Sequence, residues 1–93
     1  MHPHRTSILT ATVLEGSVLL SFQIGAADGI TLLSRRESER DFSPIAEDDP
    51  SPVVDARPKL HPDQPETRYY RAVLRYSSSE NRQFSNEVRL TLP

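Results

Sequence analysis

Hydrophobic and polar residues alternate most strictly between Glu66 and Tyr76, and a strand sends successive side chains to opposite faces. One set is Tyr70, Ala72, Leu74 and Tyr76; the other is Tyr69, Arg71, Val73 and Arg75. Burying the second set would place two guanidinium groups in a core without evident partners, at high cost. The first set is therefore expected to face inward and the second outward. The same period recurs along the chain. Leu9, Ala11 and Val13 alternate with threonines, and after the turn signal Glu15-Gly16-Ser17 a second strand directs Val18, Leu20, Phe22 and Ile24 one way. Past the loop Gly25–Gly29, a third strand over 30–36 turns Ile30 and Leu32 inward and Leu33 and Arg35 outward, with a one-residue slip as the alternative register.

Glu37 to Asp41 reads as a charged turn, and Phe42–Ala46 as a short edge strand, because Pro44 cannot donate to a ladder. Val53–Asp55 is a short strand, Arg57–Pro65 a proline-rich crossing, Ser77–Arg82 a polar hairpin loop, and Ser85–Leu92 the last strand. No stretch has helical periodicity. The pattern predicts an all-β, seven-stranded antiparallel β-sandwich. Strands near 8–14, 18–24 and 53–55 should pack against those near 30–36, 69–76 and 85–92, with Phe42–Ala46 on an edge of the second sheet. Phe22 and Tyr70 should lie at the centre, ringed by Val18, Leu20, Ile30, Leu32, Leu74, Val88 and Leu90.

Over nearly its whole length the chain resembles a fibronectin type III domain. Phe22 stands where that family carries an inward aromatic, usually Trp. Leu60, Pro62 and Pro65 followed by Tyr70, Ala72 and Leu74 are similar to its crossing and corner tyrosine. Asp55 resembles the Asp that closes the fifth strand, and Ser85, Val88, Leu90, Leu92 and Pro93 resemble the last strand. The resemblance implies a fibronectin type III-like sandwich and a non-catalytic module for protein–protein interaction or structural spacing within a larger protein or assembly. No Arg-Gly-Asp tripeptide occurs, so integrin binding does not carry over.

Composition narrows the class. With 93 residues, 35% hydrophobic and 26% charged, the chain suits one small domain over 8–93 behind a flexible N-terminus over 1–7. A net charge of −2 argues against general nucleic-acid binding. No apolar run is long enough for a transmembrane helix, and the first residues lack the apolar core of a secretory signal. Either the chain stays in the cytoplasm or it is one module of a longer, exported or surface protein; cysteine is absent and leaves the compartment open.

Chemistry-bearing residues have bland readings. His2, His4 and His61 are too scattered for a zinc site. Glu47, Asp48 and Asp49 precede two prolines and lack the spacing of a calcium loop. Ser77-Ser78-Ser79 is common hairpin-tip composition, and no glycine-rich phosphate loop is present. No catalytic residue, cofactor or small-molecule substrate is expected. Three readings stay open: an interaction or spacer module, a carbohydrate-binding accessory domain, and a stand-alone adaptor or homodimer. Most of the six aromatics look committed to the core, which counts against a sugar-stacking platform. The expected partner face is the outward side of the second sheet, with Leu33, Arg35, Tyr69, Arg71, Val73, Arg75 and Arg89, facing an acidic protein surface or a second copy.

Overall fold

The computed structural model describes residues 8–77 and 79–93. Expectations for residues 1–7 and for Ser78 lie outside the described residues. Eight strands follow in order: β1 Leu9–Leu14, β2 Ser17–Phe22, β3 Gly29–Arg36, β4 Ser43–Glu47, β5 Val53–Asp55, β6 Glu66–Tyr76, β7 Ser79–Phe84 and β8 Val88–Leu92. No helix occurs among the described residues. The strands form two antiparallel sheets, one ordered β1-β2-β5 and the other β4-β3-β6-β7, with β8 also pairing β6. Both sheets contribute to one core of Leu9, Val18, Leu20, Ile30, Leu32, Tyr70, Ala72, Leu74 and Leu92, so the architecture is sandwich-like.

The expected grouping of strands is observed, and β4 lies on the edge of the larger sheet. Its pairing with β3 shifts register between Leu32 and Leu33. Strand β3 takes the register with Ile30 and Leu32 inward, and Ser34 is buried on the same side. The first turn is tight: Leu14 pairs with Ser17, and Glu15 and Gly16 both have positive φ, 51° and 85°. That is the geometry of a two-residue hairpin whose twist matches its strands.

Three expectations need correction. The strand count is eight, because most of the supposed loop Ser77–Arg82 belongs to β7, paired with the end of β6 from Val73 to Tyr76. The last strand begins at Val88, and it pairs the same edge of β6 further back, from Glu66 to Tyr70. Ser85 bridges the two segments. Its backbone N–H donates to the Ala72 carbonyl and its hydroxyl accepts from the Ala72 N–H, both at 2.9 Å. Asn86 then leaves the sheet and clamps the other one, accepting from Leu9 N–H at 3.1 Å and donating to Leu9 C=O at 2.9 Å. The last strand is thus shorter than expected, because Ser85 and Asn86, its expected first residues, are spent on these bridging contacts.

Second, Phe22 is half-buried at the end of β2 rather than central, and Ile24 beyond it is 38% exposed. Sheet pairing of β2 with β5 stops at Leu20, while its pairing with β1 reaches Phe22. Third, the aromatics are not mostly interior: only Tyr70 is fully buried, and Phe84 is 58% exposed.

The largest fully buried side chain is Arg68, which shares the inward parity of Tyr70, Ala72 and Leu74. Its burial is tolerable only because its donors are met. Arg68 Nε donates to Glu66 Oε2 at 2.6 Å, Nη1 to Asp55 Oδ2 at 3.2 Å, and Nη2 to the carbonyls of Arg57 and Pro58 at 2.9 and 3.3 Å. Asp55 also accepts from the Tyr70 hydroxyl at 2.7 Å and from a bidentate Arg57 at 2.8 and 2.9 Å. Arg57 reaches on to Ser34 Oγ at 3.0 Å. Glu66 accepts from Arg36 at 3.0 Å and from Leu60 N–H at 2.9 Å. The network ties β5 of the small sheet to β6 and β3 of the large one and pins the proline-rich crossing beneath them.

Burial alone would raise the Asp55 pKa, but the hydrogen bonds from Arg57 and Tyr70 outweigh it and hold the carboxyl at about 2. Burial, and then the bond to Asp55, push the Tyr70 phenol up to about 12. Burial likewise opposes ionisation of Glu66, yet the Leu60 N–H, Arg68 and Arg36 lower its pKa on balance.

Two outcomes are expected. Leu20→Ala should cost about 2–5 kcal/mol, as for a buried aliphatic, and Phe22→Ala should cost less than Leu20→Ala in the same urea titration. Equal or reversed costs would place the core nearer Phe22. The acid limb is the second. A carboxyl whose folded pKa lies below its unfolded value stabilises fully above the unfolded pKa and loses that stability as pH falls through the folded one. Asp55 therefore contributes about 2 kcal/mol at neutral pH that disappears between roughly pH 5 and 2. Urea midpoints across that range should fall steeply for the native chain and less steeply for Asp55→Asn; parallel slopes would contradict the assignment.

Candidate interaction face

Antiparallel pairing sets the outer face of the large sheet out in cross-strand rows. Arg35, Tyr69 and Arg89 form one row, and Leu33 lies opposite Arg71 in the next. Thr31, Val73 and Phe84 form the third, and Gly29, Arg75 and Arg82 the fourth. All seven residues expected on this face are on it. Leu33, Arg35, Tyr69, Arg71, Val73 and Arg75 are half-buried, and Arg89 is exposed on β8.

They do not form one uniform patch. Arg75 is drawn to the far end, where its guanidinium meets Thr31 Oγ1 and Asp48 Oδ1, with Glu47 at 3.9 Å. Glycine at position 29 permits this, because a Cβ there would overlap the Arg75 guanidinium and approach the Asp48 carboxylate to 2.8 Å. Asp48 is itself fixed, accepting from Ile30 N–H at 2.9 Å. Arg75 is thus committed within the fold.

The middle of the face is built differently. The Arg35 guanidinium lies 4.2 Å from the Tyr69 ring centroid and 5.5 Å from that of Phe42. Arg71 lies 4.4 Å from Phe42 and 4.5 Å from Phe84. Tyr69, Arg35, Phe42, Arg71 and Phe84 therefore form a ladder of alternating rings and cations running from β6 and β3 to β7. Each contact contributes about 0.5–1 kcal/mol at an exposed site. The sequence reasoning missed Phe42 and Phe84. Phe42 directly precedes the edge strand, and Phe84 ends a strand most of which reads as a hairpin loop. The available signal was Phe84 between Gln83 and Ser85, an apolar ring in polar company.

Arg35 satisfies part of its donor set locally, giving a hydrogen bond to the Glu39 carbonyl at 3.1 Å. Arg71 does not. Its Nε is buried without a hydrogen-bond partner, and no carboxylate among the described side chains forms an ion pair with it. By contrast Arg36, Arg57, Arg68 and Arg75 each hold a carboxylate.

Grooves elsewhere on the surface include three lined by described residues. One of about 320 Å³ runs beside the proline-rich crossing and includes His61. One of about 500 Å³ separates β4 from β5. The third, about 380 Å³, is lined by Phe22, Ile24, Ile30, Asp28, Asp48 and Asp49. Among the described residues no group of three or more His, Asp or Glu converges as a metal site would require. No known family model, curated protein or solved structure matches the chain.

Phe42→Leu keeps bulk and removes the ring between the two guanidinium groups. It should lower stability by about 1–2 kcal/mol, the sum of the two contacts, in chemical denaturation. An unchanged midpoint would show that the stack contributes nothing.

Proposed function

We propose that the chain is a non-catalytic module of the fibronectin type III kind that binds a protein partner through the outer face of its larger sheet. The grouping of β1, β2 and β5 against the other strands supports the family assignment, as does the central Tyr70 at the foot of the crossing. The half-buried Phe22 departs from the family's inward aromatic, and the Tyr70 hydroxyl bonds a carboxylate rather than backbone.

The observation that carries the binding role is the ring–guanidinium ladder, turned outward on a sheet face. Tyr and Arg are enriched at the energetic centres of protein interfaces, where rigid side chains lose little entropy on association. Stacking fixes Arg35 and Arg71 in advance. A carbohydrate platform needs open ring faces, and here guanidinium groups lie over Tyr69, Phe42 and Phe84.

The test is affinity capture with three baits, identifying retained proteins by mass spectrometry. The native chain and the crossing variant Leu60→Ser should retain the same partner. The double variant Tyr69→Ala with Arg71→Glu should stay folded by circular dichroism and lose that partner. Retention by the folded double variant would move the binding surface elsewhere.

A further inference from the structure

We propose that Arg71 is the anchor for a carboxylate on an extended acidic segment of a partner protein, with acidic side chains at every second position. The inference rests on the binding-face reading and gives that face its ligand chemistry. Arg71 is held between two phenyl rings, its Nε is enclosed without a partner, and no described carboxylate reaches it. With Nε enclosed, the open edge of the guanidinium is its Nη1–Nη2 pair, and stacking pre-orients that planar edge to take a carboxylate in two parallel hydrogen bonds. The rest of the molecule shows that carboxylates are what its arginines find when one is near, since Arg36, Arg57, Arg68 and Arg75 are all so paired.

Spacing supplies the pattern. Arg71 and the Arg35–Tyr69–Arg89 row stand two residues apart along β6, about 6.6–6.8 Å at strand rise. Same-side residues of an extended peptide repeat at that distance. A segment lying along β6 thus brings one carboxylate to Arg71 and the next to the row of Arg35 and Arg89. Protein is favoured over nucleic acid because the rings are already covered by guanidinium groups, leaving little for base stacking.

The experiment follows the Arg Nε–H signals of the ¹⁵N-labelled chain by NMR during titration with a seven-residue peptide alternating Glu and Thr. The expected result is a saturable shift of the Arg71 signal, with affinity at least tenfold weaker for the peptide with Gln in place of Glu. Arg71→Lys, folded by circular dichroism, should also bind the Glu peptide at least tenfold more weakly, because charge without the fork is insufficient. Equal binding of the Gln peptide on the same residues would overturn carboxylate recognition and leave the binding face standing. Shifts confined to loops remote from Tyr69 and Phe84 would overturn both. Tighter binding of a thymidine oligonucleotide at Arg71, or a shift of its signal on concentration of the chain alone, would replace the acidic segment with nucleic acid or with a second copy.

Discussion

Arg68 can occupy the inner face of β6 only because Asp55, Glu66 and two carbonyls of the crossing meet its donors. Removing a charge from water costs several kcal/mol unless a partner and further hydrogen bonds compensate. Asp55 supplies that compensation from the opposite sheet while accepting from Tyr70 and Arg57. The same carboxylate therefore joins the sheets, fixes the crossing and sets which face of β6 is inward. A slip of one residue would bring Arg71 and Arg75 into the core, where no such acceptors wait, and turn Arg68 away from Asp55.

The outer face of the large sheet, the proposed binding surface, is the other consequence of that choice. With Arg68 inside, Tyr69, Arg71, Val73 and Arg75 must lie outside, in rows with β3, β7 and β8. The arginines then divide by what surrounds them. Those near acids, such as Arg75 beside Asp48, become part of the fold. Those near rings, Arg35 and Arg71, are stiffened by stacking. The first kind adds stability; the second carries the proposed recognition.

Much of the sheet plan was legible in the alternation, because period two is a direct product of the pleat. Strand β6 begins and ends where the alternation does, and Val53–Asp55 and the edge placement of Pro44 followed from equally local rules. What escaped was non-local. Parity puts Arg68 on the same face as Tyr70, but its tolerance in the core depends on Asp55, thirteen residues away. Phe42 and Phe84 join the outer face through neighbours on other strands, which no single segment reveals. The break at Ser85-Asn86 depends on Leu9, at the far end of the chain. Outward placement of the seven expected residues was readable, whereas their division into acid-paired and ring-stacked arginines required the fold.

The most direct measurement on this account is the unfolding free energy of Arg68→Met, Asp55→Leu and the double variant at neutral pH. Each single change leaves a buried charge one ionic partner short, Asp55 with Arg57 alone or Arg68 with Glu66 alone, and should cost about 3–5 kcal/mol, the range for breaking a buried pair. Replacing both removes the stranded charge, so the double variant should be far more stable than the sum of the singles implies. Additive losses, or singles within about 0.5 kcal/mol of the native chain, would show that the Asp55–Arg68 pair does not determine the register of β6.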